Sequence, residues 1–347
     1  MIKEVSGNLL DADVEALVNT VNTVGVMGRG VALQFKQAFP ANFSAYEAAC
    51  RRGEVVPGRM FVFRRDTLGT RKNPRFIINF PTKRDWRHKS RMEDIEAGLR
   101  DLVRVVRKEG IHSVALPPLG CGSGRLEWAE VRQKISEALE SLPEVLALIY
   151  PPAQAPAPEA MRIGTERPRM TPFRAMLLIL MHRYALPGYR LSLLEIQKLA
   201  YFLQASGEPL KLKFEKQQYG PYTETLHHAL QRLEGHFITG YGDRSQRVSI
   251  ALAPDAIKEA ETSLAMSDET QKRFEKVARL IDGFETPYGM ELLASVHWVA
   301  VAEDRDARTN AEKAVQLVHS WNTRKRDTFR PEHIKIAWDR LREERWI

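Results

Sequence analysis

Short apolar runs alternate with longer amphipathic stretches over the first 150 residues of the chain. In the longer stretches apolar residues recur three or four positions apart, which is typical of helices. The apolar runs show little polar alternation, which is typical of strands buried on both faces of a sheet. Strands are predicted at EALVN, RMFVF, RFIINF, SVALP and VLALIY. The pattern predicts an α/β fold with a largely buried sheet.

The most strongly marked helix begins near residue 90. Ser90 and Glu93 have the spacing of a capping box, in which each side chain bonds to the backbone N–H of the other residue. Apolar side chains then recur on one helical face at Met92, Ile95, Leu99, Leu102, Val103 and Val106. We therefore expect a helix whose first turn is capped by Ser90.

A proline-rich stretch divides the chain. Residues 151–172, PPAQAPAPEAMRIGTERPRMTP, lack periodic apolar positions, which favours an extended and semi-rigid linker. We expect a first domain at residues 1–152, a linker at 153–171 and a second domain at 172–347. The length of 347 residues, with 44% of them hydrophobic, is sufficient for two separate cores.

The second domain is expected to be mainly helical. Thr171 and Pro172 form a helix-start signal, and helical spacing continues in LSLLEIQKLAYFLQAS. Two β-rich pieces flank a Gly-Asp turn in FITGYGDRSQRVSIAL, which predicts a β-hairpin or wing. Helices with a wing also occur in winged-helix DNA-binding domains, so a transcriptional regulator is one possible function.

The composition excludes several classes of protein. The two cysteines, Cys50 and Cys121, form neither a disulfide framework nor a cysteine-rich zinc site, and His227 with His228 lacks the spacing of a metal pair. No apolar run reaches the roughly 18 residues of a membrane span, and acidic residues near the N-terminus do not fit a signal peptide. We expect a soluble cytoplasmic protein with no membrane partner, no metal and no cofactor.

Positive charge is concentrated in one segment of the first domain. The whole chain has a formal charge of +8, and Arg64 to Arg91 contains ten Lys or Arg residues against two Asp residues, a net charge of +8. A solvated face is the simplest interpretation, and an anionic partner is the alternative. Four basic side chains are candidates for contacts with DNA phosphates: Arg84, Arg87, Lys89 and Arg91. Trp86 among them either stacks on a base or anchors the loop.

Two glycine-bearing loops each follow a predicted strand and precede a predicted helix. They lie in NTVNTVGVMGRGVALQF, residues 19–35, and PPLGCGSGRLEWAEV, residues 117–131. Free backbone N–H groups at a helix N-terminus favour phosphate, so the pair suggests a diphosphate held from two sides, although each loop could be an ordinary turn. The spacing fits neither a Walker loop nor a dinucleotide fingerprint. Asn19 and Asn22 add amides that suit sugar hydroxyls.

These loops carry a specific resemblance. In order along the chain, GNLLDADVEALVNTVN, GVMGRGVALQF, NFPTKRDWR and PPLGCGSGRLEW resemble a macrodomain, and most closely the macrodomains of the DarG antitoxins. The resemblance implies a three-layer α/β/α sandwich with a mixed sheet that binds ADP-ribose. It implies binding through Asn8, Leu9, Asn19, Asn22, Val26, Met27, Gly28, Gly30, Pro118, Gly120, Cys121, Gly122, Ser123, Gly124 and Leu126.

The resemblance also implies an activity. DarG macrodomains remove ADP-ribose from thymine bases of single-stranded DNA, which implies a DNA ADP-ribosyl glycohydrolase with Lys83 and Asn22 as its catalytic residues. Related glycohydrolases that act on protein carboxylates pair this lysine with an aspartate in the second glycine loop, where this chain has Gly124. Lys83 therefore acts either as a covalent nucleophile or electrostatically on the leaving base.

The second domain resembles the C-terminal region of DarG proteins in residues 194–245 and over much of residues 172–347, which implies that it binds and neutralises a DarT-type toxin. Acidic and aromatic residues are candidates for that contact, namely Glu208, Glu215, Tyr219 and Tyr222. A non-catalytic ADP-ribose reader is the remaining alternative function, although a reader would have no use for a lysine at the strand exit.

Overall fold

A mixed β-sheet forms the centre of the first of two compact units in the computed structural model, which describes residues 1–65, 73–153, 156–185, 188–244, 247–264 and 268–347. Unit 1 comprises Met1–Glu166 and Gly242–Arg247, and unit 2 comprises Arg167–Tyr241 and Val248–Ile347. Within the described residues of unit 1, the sheet strands are β1 (Ile2–Glu4), β2 (Ala16–Val21), β3 (Phe61–Arg64), β4 (Phe76–Pro81), β5 (Ser113–Leu116) and β6 (Leu146–Ile149).

The strands are arranged in the order β1-β6-β5-β2-β4-β3. β2 runs parallel to both of its neighbours, β4 and β5, whereas the edge strand β3 is antiparallel to β4. The predicted strands are confirmed in this sheet, although the pattern did not predict β1. β1 is short and exposed, and it pairs with β6 from the far end of the domain.

Helices cover both faces of the sheet, because successive side chains of its central strands point to opposite sides. On one face Val18 and Ile78 pack in a cluster with the apolar side of α3 (Met92–Glu109) and α4 (Trp128–Leu139). On the other face Leu17 and Ile77 pack with Phe35 of α1 (Gly30–Ala38), which is followed by α2 (Pro40–Arg51). The predicted three-layer α/β/α sandwich with a mixed sheet is confirmed.

The predicted cap of α3 is wrong. Arg91 occupies the N-cap position and makes no side-chain capping bond, while the Ser90 side chain lies one residue before it. The apolar stripe was predicted correctly, since Ile95, Leu99 and Leu102 are buried. A tertiary contact of Ser90, described below, replaces the local capping box.

Part of the segment expected to be a linker, 153–171, lies in unit 1. Arg162 donates a hydrogen bond to the carbonyl of Leu10 at 2.8 Å, and the N–H of Gly164 donates to the carbonyl of Gln37 at 2.9 Å. Pro158–Ala160 forms a short 3-10 turn. Although it is rich in proline, this part of the segment is therefore hydrogen-bonded to the α/β/α sandwich.

Unit 2 is mainly helical, as expected. Its described helices are α5 (Pro172–Tyr184), α6 (Leu193–Ala205), α7 (Thr225–Leu233), α8 (Ala256–Ser263), α9 (Asp268–Ile281), α10 (Pro287–Trp298), α11 (Ala311–Trp321), α12 (Thr323–Thr328) and α13 (Pro331–Glu343). Two small antiparallel sheets accompany them, β7 (Glu215–Gln217) with β8 (Gly220–Tyr222), and β9 (Ile238–Thr239) with β10 (Ala251–Leu252). The second sheet confirms the antiparallel pairing expected of the two β-rich pieces, although the Gly242–Arg247 segment that connects them lies in unit 1. Within the described residues, no helix combines the length and the apolar character needed to span a bilayer.

Helix starts in unit 2 follow local signals. Thr171 caps α5 by accepting a bond from the N–H of Arg174, and Pro172 follows in the first turn, as predicted. At α6, Ser192 and Glu195 form a complete capping box. α5 buries nearly its whole circumference and not a single stripe, which is typical of a core helix.

Two lysines are buried in the core of unit 2. Lys198 is 2% exposed and donates a hydrogen bond to the carbonyl of Pro221 at 2.7 Å. Lys325 is fully buried and bonds to Glu291 Oε1 and Ser295 Oγ, each at 2.8 Å. Burial, with the positive charge of Lys325 as a second cause, lowers the pKa of Lys198 to about 7.

Lys198→Met should stabilise unit 2 more at about pH 7 than at about pH 10. An unfolded lysine holds its proton up to a pKa of about 10.4, whereas folded Lys198 releases it near 7. Between these values the unfolded state binds more protons, so this group's contribution to stability is lost as the pH falls. Calorimetric scans should show a change in melting temperature that is more favourable by several degrees at the lower pH, at roughly 2–4 °C for each kcal/mol. Equal changes at both pH values would contradict the buried titration.

Candidate active site

Loops with the predicted site residues leave the sheet at one edge. Since β2 is parallel to β4 and β5, the segments that follow these three strands all begin at their carboxyl ends. Asn8 and Leu9 follow β1, which is parallel to β6 and therefore reaches the same edge farther along the sheet. Crevices at this edge are the usual ligand sites of open α/β sheets.

The first glycine loop is shaped by the side chain of Asn22. Its Oδ1 accepts hydrogen bonds from the N–H groups of Val24 at 3.0 Å and Val26 at 3.2 Å, and its Nδ2 donates to the carbonyl of Val26 at 2.6 Å. A sugar hydroxyl at this amide would have to share these bonds. Asn22 therefore holds the loop closed, in addition to any contact with a ligand.

Tyr46 supports Asn22 through its buried hydroxyl, a role that the sequence pattern did not predict. The Tyr46 hydroxyl, fully buried on α2, donates to the Asn22 carbonyl at 2.7 Å and lies 3.2 Å from its Oδ1. Burial raises the pKa of Tyr46 above its usual value, so the hydroxyl stays a donor at all ordinary pH values. Its place on the apolar side of a helix looks like that of any core tyrosine.

Asn19 lies beneath the loop in a chain of buried amides. Its Nδ2 donates to Asn79 Oδ1 at 3.0 Å and lies 3.8 Å from the sulfur of Met27, while Asn79 donates to Asn42 at 2.7 Å. Asn19 and Met27 are 0% and 1% exposed, so both are under the surface that a ligand would touch. The amides thus support the loop, and Val26, 41% exposed, is the side chain that it presents outward.

The helix that follows this loop has a partner at its N-terminus. The N–H of Gly30 donates to the carbonyl of Asp243 at 2.8 Å, and Gln34 donates to the Asp243 carboxylate at 2.7 Å. Asp243 lies in the Gly242–Arg247 segment of unit 1. A phosphate at Gly30 would have to replace that carbonyl, which leaves the half-buried Gly28 as the more accessible glycine of the loop.

Asn8 and Leu9 begin a short 3-10 turn. Asn8 caps it, because Oδ1 accepts from the N–H of Leu10 at 3.1 Å and Nδ2 donates to Asp11 at 2.9 Å. Leu9 is buried at 6% exposure. The structure places both at the site edge and gives Asn8 a capping role that the sequence did not predict.

The second glycine loop folds back on itself. The N–H of Leu126 donates to the carbonyl of Gly120 at 3.1 Å, and Gly120 has a φ of 72°, in the left-handed region. Gly122 and Ser123 are exposed, Pro118, Cys121 and Leu126 are half-buried, and Gly120 and Gly124 are buried. Burial, with Glu127 as a second cause, raises the pKa of Cys121 to about 11, so the thiol is protonated at neutral pH.

Gly124 has no room for a side chain. A Cβ at this position would overlap the carbonyl oxygen of Gly120 and the hydroxyl of Ser90. The aspartate that related enzymes carry at the matching position is therefore excluded by the backbone of this loop as well as absent from the sequence. By contrast, nothing lies within 4 Å of a Cβ at Gly122.

Lys83 reaches the second loop from the end of β4. Its ammonium donates to the carbonyl of Ser123 at 2.7 Å. Burial lowers the pKa of Lys83, and the positive charge of Arg125 lowers it further. Next to Lys83, the carbonyl of Arg84 accepts a 2.7 Å bond from the Thr23 hydroxyl of the first loop. The three segments are thus joined around Lys83, and Arg125, with a φ of 63°, is a contributor that sequence reasoning missed.

Two arginines of the basic segment are ion-paired. Arg84 forms two bonds to Asp94 at 2.6 and 3.1 Å, and Arg87 forms two to Asp85 at 2.9 and 3.0 Å. The bonds from Arg87 hold the pKa of Asp85 well below its usual range. Trp86 is 56% exposed, with the Arg87 guanidinium 5.5 Å from its ring centre. Lys89 and Arg91 are also exposed, whereas Arg71 and Lys72 lie outside the described residues.

Comparison with known proteins defines the family. The chain is 50% identical over 352 residues to a DNA ADP-ribosyl glycohydrolase of Thermus aquaticus, covering 100% of this chain and 96% of that protein. The chain belongs to the DNA ADP-ribosyl glycohydrolase family. The enzyme class expected from the sequence is confirmed, and residues 18–135 match the Macro domain family.

Two further relatives each match less than half of the chain. The solved macrodomain of Mycobacterium tuberculosis DarG is 56% identical, spans 44% of this chain and 99% of that chain, and has a TM-score of 0.43. A fusion protein of Thermosipho africanus, named as a DNA ADP-ribosyl transferase joined to a DNA ADP-ribosyl glycohydrolase, is 35% identical over 167 residues, covering 45% of this chain and 43% of that protein. The resemblance to macrodomain DNA ADP-ribosyl glycohydrolases predicted from the sequence is confirmed by the relative matched over its whole length and by the Macro domain match.

Gly124→Asp should destabilise the glycohydrolase domain and should not add activity. The new Cβ would meet a backbone carbonyl and a buried hydroxyl, and such overpacking costs about 1–3 kcal/mol. Thermal melting checks this, with Gly122→Ala as the matched control in the same loop, since its Cβ would point into open space. Wild-type stability in Gly124→Asp would contradict the packing argument.

Proposed function

We propose that the protein hydrolyses the N-glycosidic bond between ADP-ribose and a thymine base of single-stranded DNA, and that it also neutralises a DarT-type toxin. The family gives the class of enzyme, and the substrate base and strand follow from the resemblance to DarG macrodomains. The observation that carries the proposal is the contact between Lys83 and the second glycine loop. A non-catalytic reader would have no use for this half-buried ammonium.

The ligand is proposed to lie along the carboxyl edge of the sheet. The two glycine loops hold the diphosphate, the Asn8–Leu9 turn faces the adenosine end, and Asn22 and Lys83 lie near the distal ribose. The 2.7 Å bond to Ser123 supports this placement of Lys83, because it joins the amine to the glycine-rich loop that is proposed to hold the diphosphate. Free backbone N–H groups in such loops suit an anionic diphosphate.

Hydrolysis then breaks the bond between the anomeric carbon and the thymine nitrogen. The bonding electron pair goes to the nitrogen, the oxygen of a water bonds to the anomeric carbon, and one water proton ends on the base. The Lys83 ammonium stabilises the charge that develops on the leaving base. This electrostatic role needs no carboxylate at position 124.

The DNA strand is proposed to leave the site over the basic segment. The exposed Trp86 offers a face on which a base can stack, and Lys89 and Arg91 offer phosphate contacts. Arg84 and Arg87 would exchange their carboxylate partners for phosphates, which lowers their net contribution. The segment therefore positions the strand with moderate affinity, which suits an enzyme that must release its product.

Lys83→Ala should lower the turnover of ADP-ribosylated single-stranded DNA by about 100- to 1,000-fold, the usual effect of removing one electrostatic stabiliser. Affinity for free ADP-ribose should stay within about threefold, because the backbone of the loops supplies most of the proposed contacts. Calorimetry and a glycohydrolase assay measure both quantities, with the exposed Lys108→Ala on α3 as control. Turnover within a few-fold of wild type would remove Lys83 from the mechanism.

Two further readouts of the wild type distinguish the roles of Lys83. An ammonium that acts electrostatically gives a rate that falls as the pH rises through its lowered pKa, whereas a neutral nucleophilic amine gives a rate that rises. Borohydride should trap no ADP-ribosyl adduct in the electrostatic mechanism. An ADP-ribosylated protein substrate should be processed poorly, and equal rates on protein and DNA would contradict the proposed substrate.

Toxin neutralisation is assigned to unit 2, which has its own hydrophobic core. The fused transferase and glycohydrolase of Thermosipho africanus support a functional link between the two activities. Among the candidate contacts, Glu208 does not fit, because it is 7% exposed and bonded to Arg273 at 2.9 Å. Tyr219 fits best, since it is 45% exposed at the tip of the β7–β8 hairpin, with Arg324 stacked 4.5 Å from its ring centre.

The full-length Lys83→Ala variant should still suppress the DNA-modifying activity of a DarT-type toxin at stoichiometric amounts, because suppression by binding needs no hydrolysis. Tyr219→Ala should weaken co-purification with the toxin by about tenfold or more while leaving glycohydrolase activity unchanged. Pull-down and transferase assays measure these effects. Complete loss of suppression in Lys83→Ala would instead make reversal of the product the sole antidote.

A further inference from the structure

The Ser90 side chain neither caps α3 nor forms a hydrogen bond with any of the described residues. Its sequence spacing suits a capping box with Glu93, yet Arg91 is the N-cap of α3 and the helix start has no side-chain cap. The Ser90 hydroxyl is instead buried, with no hydrogen-bond partner among the described residues. Both features lower stability, since a cap is lost and a buried hydroxyl has lost its hydration.

The second glycine loop leaves room for this hydroxyl. The N–H of Ser90 donates to the carbonyl of Gly124 at 3.1 Å, which fixes the segment against the loop. A Cβ at Gly120 would lie 3.1 Å from Ser90 Oγ, and one at Gly124 would overlap it. Two glycines of one loop thus converge on one unpaired hydroxyl.

The same contact is close to the proposed chemistry. Ser123, which accepts the bond from Lys83, directly precedes Gly124, which accepts the bond from Ser90. A shift of the loop at Gly124 therefore moves the carbonyl that holds the Lys83 ammonium. Buried polar groups that cost stability are expected where function requires them.

We propose that Ser90 is a positioning residue whose hydroxyl gains a partner in the backbone of the second glycine loop when ADP-ribose occupies that loop. The new bond fixes the Ser123 carbonyl against Lys83. This inference rests on the proposed function for the role of Lys83, but its link to ADP-ribose binding does not depend on the DNA substrate. In the free protein the hydroxyl is buried beside the loop without a hydrogen-bond partner, which lowers the stability of the fold.

Ser90→Ala in the full-length protein tests the inference by effects of opposite sign. The melting temperature of the free protein should stay equal or rise, because an unpaired hydroxyl is removed. Affinity for ADP-ribose should fall by about two- to tenfold, the net value of one neutral hydrogen bond. Turnover at saturating DNA should fall, and the pH at which it declines should move downward, because the charged Lys83 ammonium loses the fixed carbonyl that stabilises it.

Controls separate this role from packing. Ser44→Ala, on an exposed part of α2, should change none of these quantities, and Ser90→Cys should retain part of the ADP-ribose affinity through its weaker donor. A lower melting temperature with unchanged ADP-ribose affinity would show a packing role and overturn the proposal, as would unchanged values throughout. If the wild type fails to act on DNA, the proposed function falls, while melting and calorimetry with ADP-ribose still decide the role of Ser90.

Discussion

The parallel pairing of β2 with both β4 and β5 is the constraint on which the site depends. It brings the ends of three strands to one edge, and it sets Asn19 opposite Asn79, whose side chains are hydrogen-bonded. A slip of one residue would turn these amides to opposite faces of the sheet and would remove the support of the first glycine loop. The position of the first glycine loop therefore depends directly on the register between β2 and β4.

Sequence reasoning recovered what depends on local pattern. Apolar runs identified five of the strands in unit 1. The glycine loops were noticed because each follows a predicted strand, whereas a catalytic role for Lys83 was expected only from the family resemblance. The capping box predicted at Ser90 was wrong because the loop that contains Gly124, 34 positions later in the chain, binds that segment. The support of Asn22 by Tyr46 was invisible for the same reason, since a core tyrosine and a supporting tyrosine have the same pattern.

With glycine at position 124, no carboxylate at that position opposes the lowering of the Lys83 pKa. A carboxylate beside a lysine favours its charged form and would raise its pKa, whereas the influences on Lys83 are burial and the positive charge of Arg125. The loop that excludes a side chain at Gly124 offers only a carbonyl dipole to the amine. The Lys83 charge is thus weakly compensated, which fits the proposed electrostatic role better than a carboxylate-assisted covalent mechanism.

Unit 2 uses buried polar groups for a different purpose, which is to fix one hairpin. Lys198 bonds to the carbonyl of Pro221 from below, and Trp321 and Asn322 donate to the carbonyls of Gln217 and Gln218 at 3.1 Å each. The turn of the β7–β8 hairpin is therefore fixed by hydrogen bonds on both sides in the free protein. A partner that binds an exposed side chain on this turn loses little conformational entropy, because the backbone is already ordered. The buried Lys198 amine that supports the hairpin lowers the stability of the domain, because burial lowers its pKa to about 7 and disfavours its charged form.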